Sequence, residues 1–175
     1  ILAKNFVELF KNKTIELEIT GKDKYLRYLA RIYTPGYLNL ELVKQGFASK
    51  FLVEQSELKN FKEAESEAIK ESLGIWNKSD LFGCITAKVN QKSEFIVLKN
   101  TCPNLNLNGW RVKDESRKIY VFKNISFNEI TLHSRNGKDN QTDIFWNSKQ
   151  DIWNNDRDSF YLFDNEEKLA AYETY

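Results

Sequence analysis

One arginine stands out for its setting. Gly21-Lys22-Asp23-Lys24-Tyr25-Leu26-Arg27 is a charged loop that delivers Arg27 to the start of a strand. A guanidinium at such a rim presents a planar fork of donors that can clamp a phosphate from two sides. Lys24 adds a mobile point charge, and Tyr25 adds a ring face on which a base can stack. The competing reading makes Arg27 a surface arginine paired with Glu16 or Glu18, and makes Lys24 and Tyr25 an ordinary hydrated hairpin. Elsewhere, Asp151, Asp156 and Asp158 crowd into DIWNNDRD, with Asp164 after them. Calcium takes several closely spaced oxygens, but this segment lacks the glycine-turned loop closed by a glutamate. No residue of it is assigned to a metal. His133 is the single histidine. It lies in a strand pattern with no Ser or Cys partner in a recognisable motif, which makes it structural.

The elements that must position Arg27 follow from periodicity. Residues 1–11 read as a helix, with Leu2, Phe6 and Phe10 on one face. From Thr14 to Thr20, Ile15, Leu17 and Ile19 alternate with Glu16 and Glu18, the pattern of a half-buried antiparallel strand. The 21–26 loop returns the chain into a second strand, 27–33, which Pro35-Gly36 breaks. Asn39 is the expected N-cap of a helix that carries Leu40, Val43 and Phe47 on one face and stops at Gly46. A further amphipathic helix spans 56–73, capped by Ser56 and closed by Gly74, with Ile75 and Trp76 anchoring its end. From Cys84 the character changes. Short strands near 84–89, 94–100, 109–114, 117–122, 130–134, 143–146, 158–163 and 168–173 alternate with Asn-rich turns, as in a β-sandwich. Trp110, Phe122, Trp146, Trp153 and Phe160 supply large apolar area to it.

The 175 residues suit one large or two small domains, and 41% hydrophobic content supports a packed core. No apolar run approaches the ~18 residues of a membrane span. The net charge of +1 excludes a generally basic nucleic-acid binder, so phosphate contacts must come from local clustering. The chain has no Met and begins Ile1-Leu2-Ala3, without the basic start or cleavage site of a signal peptide. It therefore reads as a piece of a longer protein. Its two cysteines are too few for a disulfide scaffold or a structural zinc site. Cys84 and Cys102 flank a predicted hairpin, where a disulfide and two buried thiols are both open readings.

DKYLRYLARIY (23–33), NLELVKQGFA (39–48) and EAESEAIKESLGIW (63–76) resemble the thermonuclease-like, or staphylococcal nuclease, family in order and spacing. The likeness covers residues 1–77. It implies an OB-type five-stranded barrel with three helices, of which this chain matches the second portion. By this resemblance Arg27 takes the place of the family's second catalytic arginine, while Lys24 and Tyr25 take places that touch the terminal phosphate and the nucleotide. Phe51, Leu52 and Glu54 stand where the family commonly has tyrosines. The family's other arginine, its calcium-binding aspartates and its general-base glutamate have no counterpart here. EFIVLKN (94–100), LNGW (107–110) and WNNDRDSFYL (153–162) resemble the lamin tail domain, an immunoglobulin-like sandwich that serves as a binding or scaffold module.

The expected fold is α+β, an incomplete OB-type barrel portion with helices over 1–77, a linker at 78–83, and an all-β immunoglobulin-like sandwich over 84–175. The resemblances imply the C-terminal part of a calcium-dependent phosphodiesterase acting on DNA or RNA. Ca2+ belongs to the complete family domain, and this chain alone should be inactive. The alternative is a non-enzymatic binding or assembly protein working through its sandwich. Implied partners are nucleic acid, a protein at 84–175, and a second copy covering the open barrel edge. Family habit suggests an extracellular or cell-surface setting.

Overall fold

The computed structural model describes residues 2–23, 26–51, 53–116 and 118–175. They form two compact units, Ile1–Asn77 and Lys78–Tyr175. Helices and strands mix in the first, and the second is built on strands. Among the described residues no helix is long and apolar enough to cross a membrane.

The first unit opens with helix α1, Leu2–Glu8, shorter than its pattern suggested because the chain turns through Leu9–Lys13 and Asn12 adopts a left-handed φ of 63°. Strands β1, Glu16–Lys22, and β2, Tyr28–Thr34, pair antiparallel with a bulge between Ile19 and Gly21. β2 passes directly into the two-residue β3, Gly36–Tyr37, giving the sheet order β1-β2-β3. The register puts Leu17 opposite Ile32, Ile19 opposite Ala30 and Lys22 opposite Tyr28, all on one face. Burial of that face was expected from the alternation of Ile15, Leu17 and Ile19. In this chain Leu17 is 51% exposed and Ile19 53%. Alternation sorts side chains between two faces but does not supply the layer that covers one of them.

Helix α2, Leu38–Lys44, starts two residues earlier than an Asn39 cap would place it, and its N-cap is Tyr37, with no side-chain capping bond. Asn39 serves a different purpose. Its Nδ2 donates to Ala30 O at 3.1 Å and its Oδ1 accepts from Ile32 N at 2.9 Å. One side-chain amide thus stands in for a neighbouring strand on the second edge of β2 and satisfies backbone groups that sheets leave costly when unpaired. Helix α3, Leu58–Lys70, starts after Glu57 rather than at a Ser56 cap. It packs Phe61 and Ala64 against Val43 of α2.

The two helices end by touching backbone to backbone. Gly46 (φ 67°) follows α2 and Gly74 (φ 53°) follows α3, opening a single 3-10 turn, Gly74–Trp76. Ile75 N donates to Gly46 O at 2.7 Å. A Cβ on Gly46 would meet Leu73 O at 2.2 Å, and one on Gly74 would meet Gly46 O at 2.1 Å. Only glycine fits both the left-handed backbone and the spacing.

In the second unit all eight expected strands form: β4, Ile85–Asn90; β5, Phe95–Asn100; β6, Arg111–Lys113; β7, Ile119–Val121; β8, Glu129–His133; β9, Asp143–Phe145; β10, Ser159–Phe163; and β11, Leu169–Thr174. They make two four-stranded sheets, β11-β10-β6-β7 and β4-β5-β8-β9, and the β8–β9 pair is parallel. Ile96, Leu98, Leu107, Val112, Ile130, Leu132, Phe160 and Leu162 belong to one buried cluster shared by both sheets, as in a sandwich. Trp110, Phe122, Trp153 and Phe160 are buried as expected, whereas Trp146 packs on the margin against Tyr120 and Trp153. Cys84 and Cys102 form a disulfide at the end of the β4–β5 hairpin, which settles the open reading of the two thiols. Closing a loop of this span stabilises by about 3 kcal/mol on the chain-entropy model.

Two substitutions test how the first unit is held. Gly74→Ala should lower its stability by at least ~2 kcal/mol, read as a shifted urea midpoint in the helical circular-dichroism band, since the helices lie in this unit. Asn39→Ala should cost ~1–3 kcal/mol and raise amide hydrogen exchange at Ile32 while leaving the sandwich amides unchanged.

Candidate phosphate-binding rim

The loop between β1 and β2 closes tightly on itself. Asp23 N donates to Arg27 O and Leu26 N donates to Asp23 O, both at 2.9 Å, and Leu26 adopts φ 64°. Asp23 Oδ1 accepts from Arg27 N at 3.0 Å. Its Oδ2 takes Arg27 Nε at 2.7 Å and lies 2.6 Å from Nη2. The competing reading, Arg27 paired with Glu16 or Glu18, is corrected in its partner: Arg27 binds the carboxylate of Asp23, four residues back, and Glu18 is held by Arg31. The Arg27 side chain remains 74% exposed at the mouth of β2. Lys24 and Tyr25, expected beside it, lie outside the described residues, as does Leu52.

Arg31, one of the alternating residues of β2, binds three carboxylates. Nη1 reaches Glu18 of β1 at 2.8 Å, Nη2 reaches Glu54 at 2.7 Å, and Nε reaches Glu57 at 3.0 Å. Its side chain is only 16% exposed. The Glu57 hydrogen bond, followed by those of its other partners, pushes the guanidinium further up from an already high range, so it is a permanent cation. Burial, with the Glu57 hydrogen bond next, pushes the Tyr37 phenol up to about 12. Tyr33 stacks on Tyr37 with ring centres 5.1 Å apart, and its phenol is raised by burial and then by Glu18. This cluster welds β1, β2 and the approach to α3 together. Sequence reasoning passed over it. The signal lay in Glu18 and Arg31, which an in-register hairpin places opposite each other.

A cleft of about 350 Å³ opens beside β2, lined among others by Leu29, Arg31, Asn39, Phe51, Glu54 and Glu57. Its two cations are already paired, Arg31 with three carboxylates and Lys50 with Glu65, and Glu54 and Glu57 line it as well, so it suits an anion poorly. Arg27 is not among its lining residues.

Asp158 and Asp164 of the second unit are held by backbone amides. Asp158 accepts from Asn154 N at 3.0 Å and Ser159 N at 2.7 Å, and Asp164 accepts from Glu166 N and Lys168 N, both at 2.9 Å. Asp151 offers its carbonyl to Lys118 Nζ at 2.6 Å. Among the described residues no three His, Cys, Asp or Glu side chains stand where they could hold one metal ion. The donor set therefore does not fit the calcium that the family resemblance implies, and no step is derived through it. His133 stacks on Phe145 at 4.8 Å, and its Nε2 lies 2.8 Å from Asp143 Oδ1. That contact, first among several hydrogen bonds, holds the Asp143 carboxyl below the usual carboxylate range.

Comparison with known proteins adds to this geometry. Uncharacterized protein MJ1439 of Methanocaldococcus jannaschii is 40% identical over 89 residues, covering 45% of this chain and 42% of that protein. The chain thus spans less than half the length of this curated relative. Residues 2–78 match the family model of the staphylococcal nuclease homologues, so the first unit carries a staphylococcal nuclease-like domain, whose fold is of the OB type.

Proposed function

We propose that the first unit presents the phosphate-binding rim of a thermonuclease-type phosphodiesterase that acts on DNA or RNA. Arg27 stabilises charge on the phosphate, and Lys24 and Tyr25 assist binding of the nucleotide. The observation that carries the reading is an exposed arginine fixed at a strand mouth by its own loop, inside the segment that matches the nuclease family. A preorganised cationic donor of this kind contributes a few kcal/mol where charge develops in the transition state. Hydrolysis needs an activated water as well, and no residue of this chain is assigned to activate one or to hold calcium. The chain as it stands binds phosphate-bearing nucleic acid and does not cleave it; a calcium-dependent reaction belongs to a complete domain of this family. The second unit is an immunoglobulin-like sandwich of the lamin-tail kind that targets the enzyme by binding a protein partner. Its disulfide supports an oxidising, extracellular or cell-surface setting.

The test uses a fluorescently labelled single-stranded oligonucleotide with a 5′-phosphate. Binding should be saturable, weaken with added salt, and fall at least tenfold in Arg27→Ala, with no cleavage in calcium or in chelator. Binding that is indifferent to Arg27→Ala would remove Arg27 from the site.

A second reading, assembly without catalysis, is favoured by the exposure of Leu17, Ile19 and Tyr28 on one face of the sheet. On that reading a second copy covers this face. Sedimentation equilibrium should then return twice the chain mass, and Ile19→Lys should return a monomer. A wild-type monomer at 100-fold the concentration of the binding assay sets this reading aside.

A further inference from the structure

We infer that the second unit carries a saccharide-binding cleft built from three of its loops. A cavity of about 570 Å³ opens between the chain at 79–81, the loop at 103–108 and the β10–β11 turn at 164–168. All of its walls belong to the second unit. The volume leaves room for a ligand of about two sugar rings.

The loops are fixed before any ligand arrives. Cys102 ties the root of the 103–108 loop to Cys84. Within that loop Asn106 Nδ2 donates to Asn124 Oδ1 at 2.6 Å and to Ser126 Oγ at 3.1 Å, and Asn106 Oδ1 accepts from Asn108 N at 2.9 Å. In the β10–β11 turn Asp164 Oδ1 accepts from Glu166 N and Lys168 N. Ser79 N donates to Leu169 O at 2.8 Å, and Ser79 Oγ accepts from Leu81 N at 3.2 Å, which pins the third loop. A framework held in this way has little conformational entropy left to lose on binding.

Three side-chain amides are not used by the framework. Asn104, Asn108 and Asn165 are exposed, line the same cavity, and make no side-chain hydrogen bond among the described residues. Each offers an NH₂ donor pair and a carbonyl acceptor. Leu105 and Trp110, both buried, supply apolar wall between them.

Charge then selects the ligand class. Asp80, Asp164 and Glu166 stand with Lys168, three carboxylates to one ammonium, so the wall disfavours anions. Lys168 Nζ lies 2.8 Å from Glu166 Oε2, and the charges of Asp80 and Asp164 reach it as well. A cationic ligand meets that ammonium already seated among the carboxylates, and it leaves the amide N–H groups unanswered. A hydroxyl both donates and accepts. A ring bearing hydroxyls at its edge and C–H groups on its face therefore answers the amides, the carboxylates and the apolar wall together, and a saccharide has that chemistry.

The experiment titrates the isotope-labelled full chain with maltotriose, cellotriose and chitotriose in turn, and with trilysine as the cationic alternative. Two-dimensional NMR follows the side-chain amide signals of Asn104, Asn108 and Asn165. At least one trisaccharide should shift these signals saturably with a Kd of about a millimolar, and trilysine should not. Asn165→Ala should weaken that binding about fivefold, the share of one hydrogen bond. Asp80→Ala, in the 79–81 loop, stands in should the backbone spectrum show that Asn165→Ala disturbs the β10–β11 turn. Silence from all three saccharides up to about 20 mM overturns the proposal, since weaker binding lies outside any specific site. Saturation of these signals by trilysine overturns it too, as do saccharide shifts confined to residues outside the cavity. Saccharide binding unmoved by both substitutions removes the cleft as its site.

Discussion

The first unit depends on how β2 is held along its second edge. A strand with a full-length neighbour on one side and two paired residues on the other would ordinarily fray. Two side chains prevent this. Asn39 mimics a strand by taking Ala30 O and offering an acceptor to Ile32 N. Between those two residues, Arg31 projects from the sheet and binds carboxylates that come from β1, from the chain before α3, and from the residue preceding α3. The planar guanidinium can address three acceptors in different directions, which an ammonium on a flexible stem does less rigidly. The Gly46–Gly74 contact completes the frame by fixing where α2 and α3 stop. β2, whose mouth Arg27 occupies, is held along both edges.

The second unit uses charge in another way. Its buried carboxylates accept backbone amides: Glu94 takes Ile152 N and Trp153 N and so seats Trp153 in the core, while Asp114 takes Lys118 N across the β6–β7 turn. Burial pushes the Asp114 carboxyl up. These groups serve loop geometry: both oxygens of Glu94 are engaged with amides, and Asp114 uses Oδ1 for its amide, while its buried Oδ2 has no hydrogen-bond partner among the described residues. A carboxylate-rich sequence such as DIWNNDRD thus yields turns, because its acceptors meet the orphan N–H groups of an irregular backbone before they meet anything else.

Local patterns carried much of this fold. The eight strands of the second unit, the Pro35-Gly36 break and the Gly46 stop follow from alternation and from residues with restricted or permissive backbones. Contacts decided by tertiary structure did not show. Asn39 at a helix start reads as a cap because capping is local, while its actual acceptor and donor lie on a strand that only folding brings near. Ile15, Leu17 and Ile19 announce a face without announcing what lies over it. Arg27 looked equally able to reach Glu16 or Glu18, yet a left-handed Leu26 turns the loop so that Asp23 is nearer. Cys84 and Cys102 could be joined only once the ends of the β4–β5 hairpin were located. The place of Arg27 just before β2 was legible; Lys24 and Tyr25 lie outside the described residues.

The Arg31 cluster has an electrostatic consequence for anything that approaches β2. One guanidinium set against Glu18, Glu54 and Glu57 leaves an uncompensated charge of about minus two midway along the strand. Arg27 lies four residues away, roughly 13 Å along an extended backbone. That exceeds the screening length of about 8 Å at physiological salt, so a single phosphate at Arg27 scarcely feels the cluster. A longer polyanion would feel it as soon as its next phosphates ran toward Arg31. The same ion pairs that tie β1 and β2 to the approach to α3 therefore give the sheet a polarity: a polyanion lying at Arg27 would be turned away from the acidic cluster.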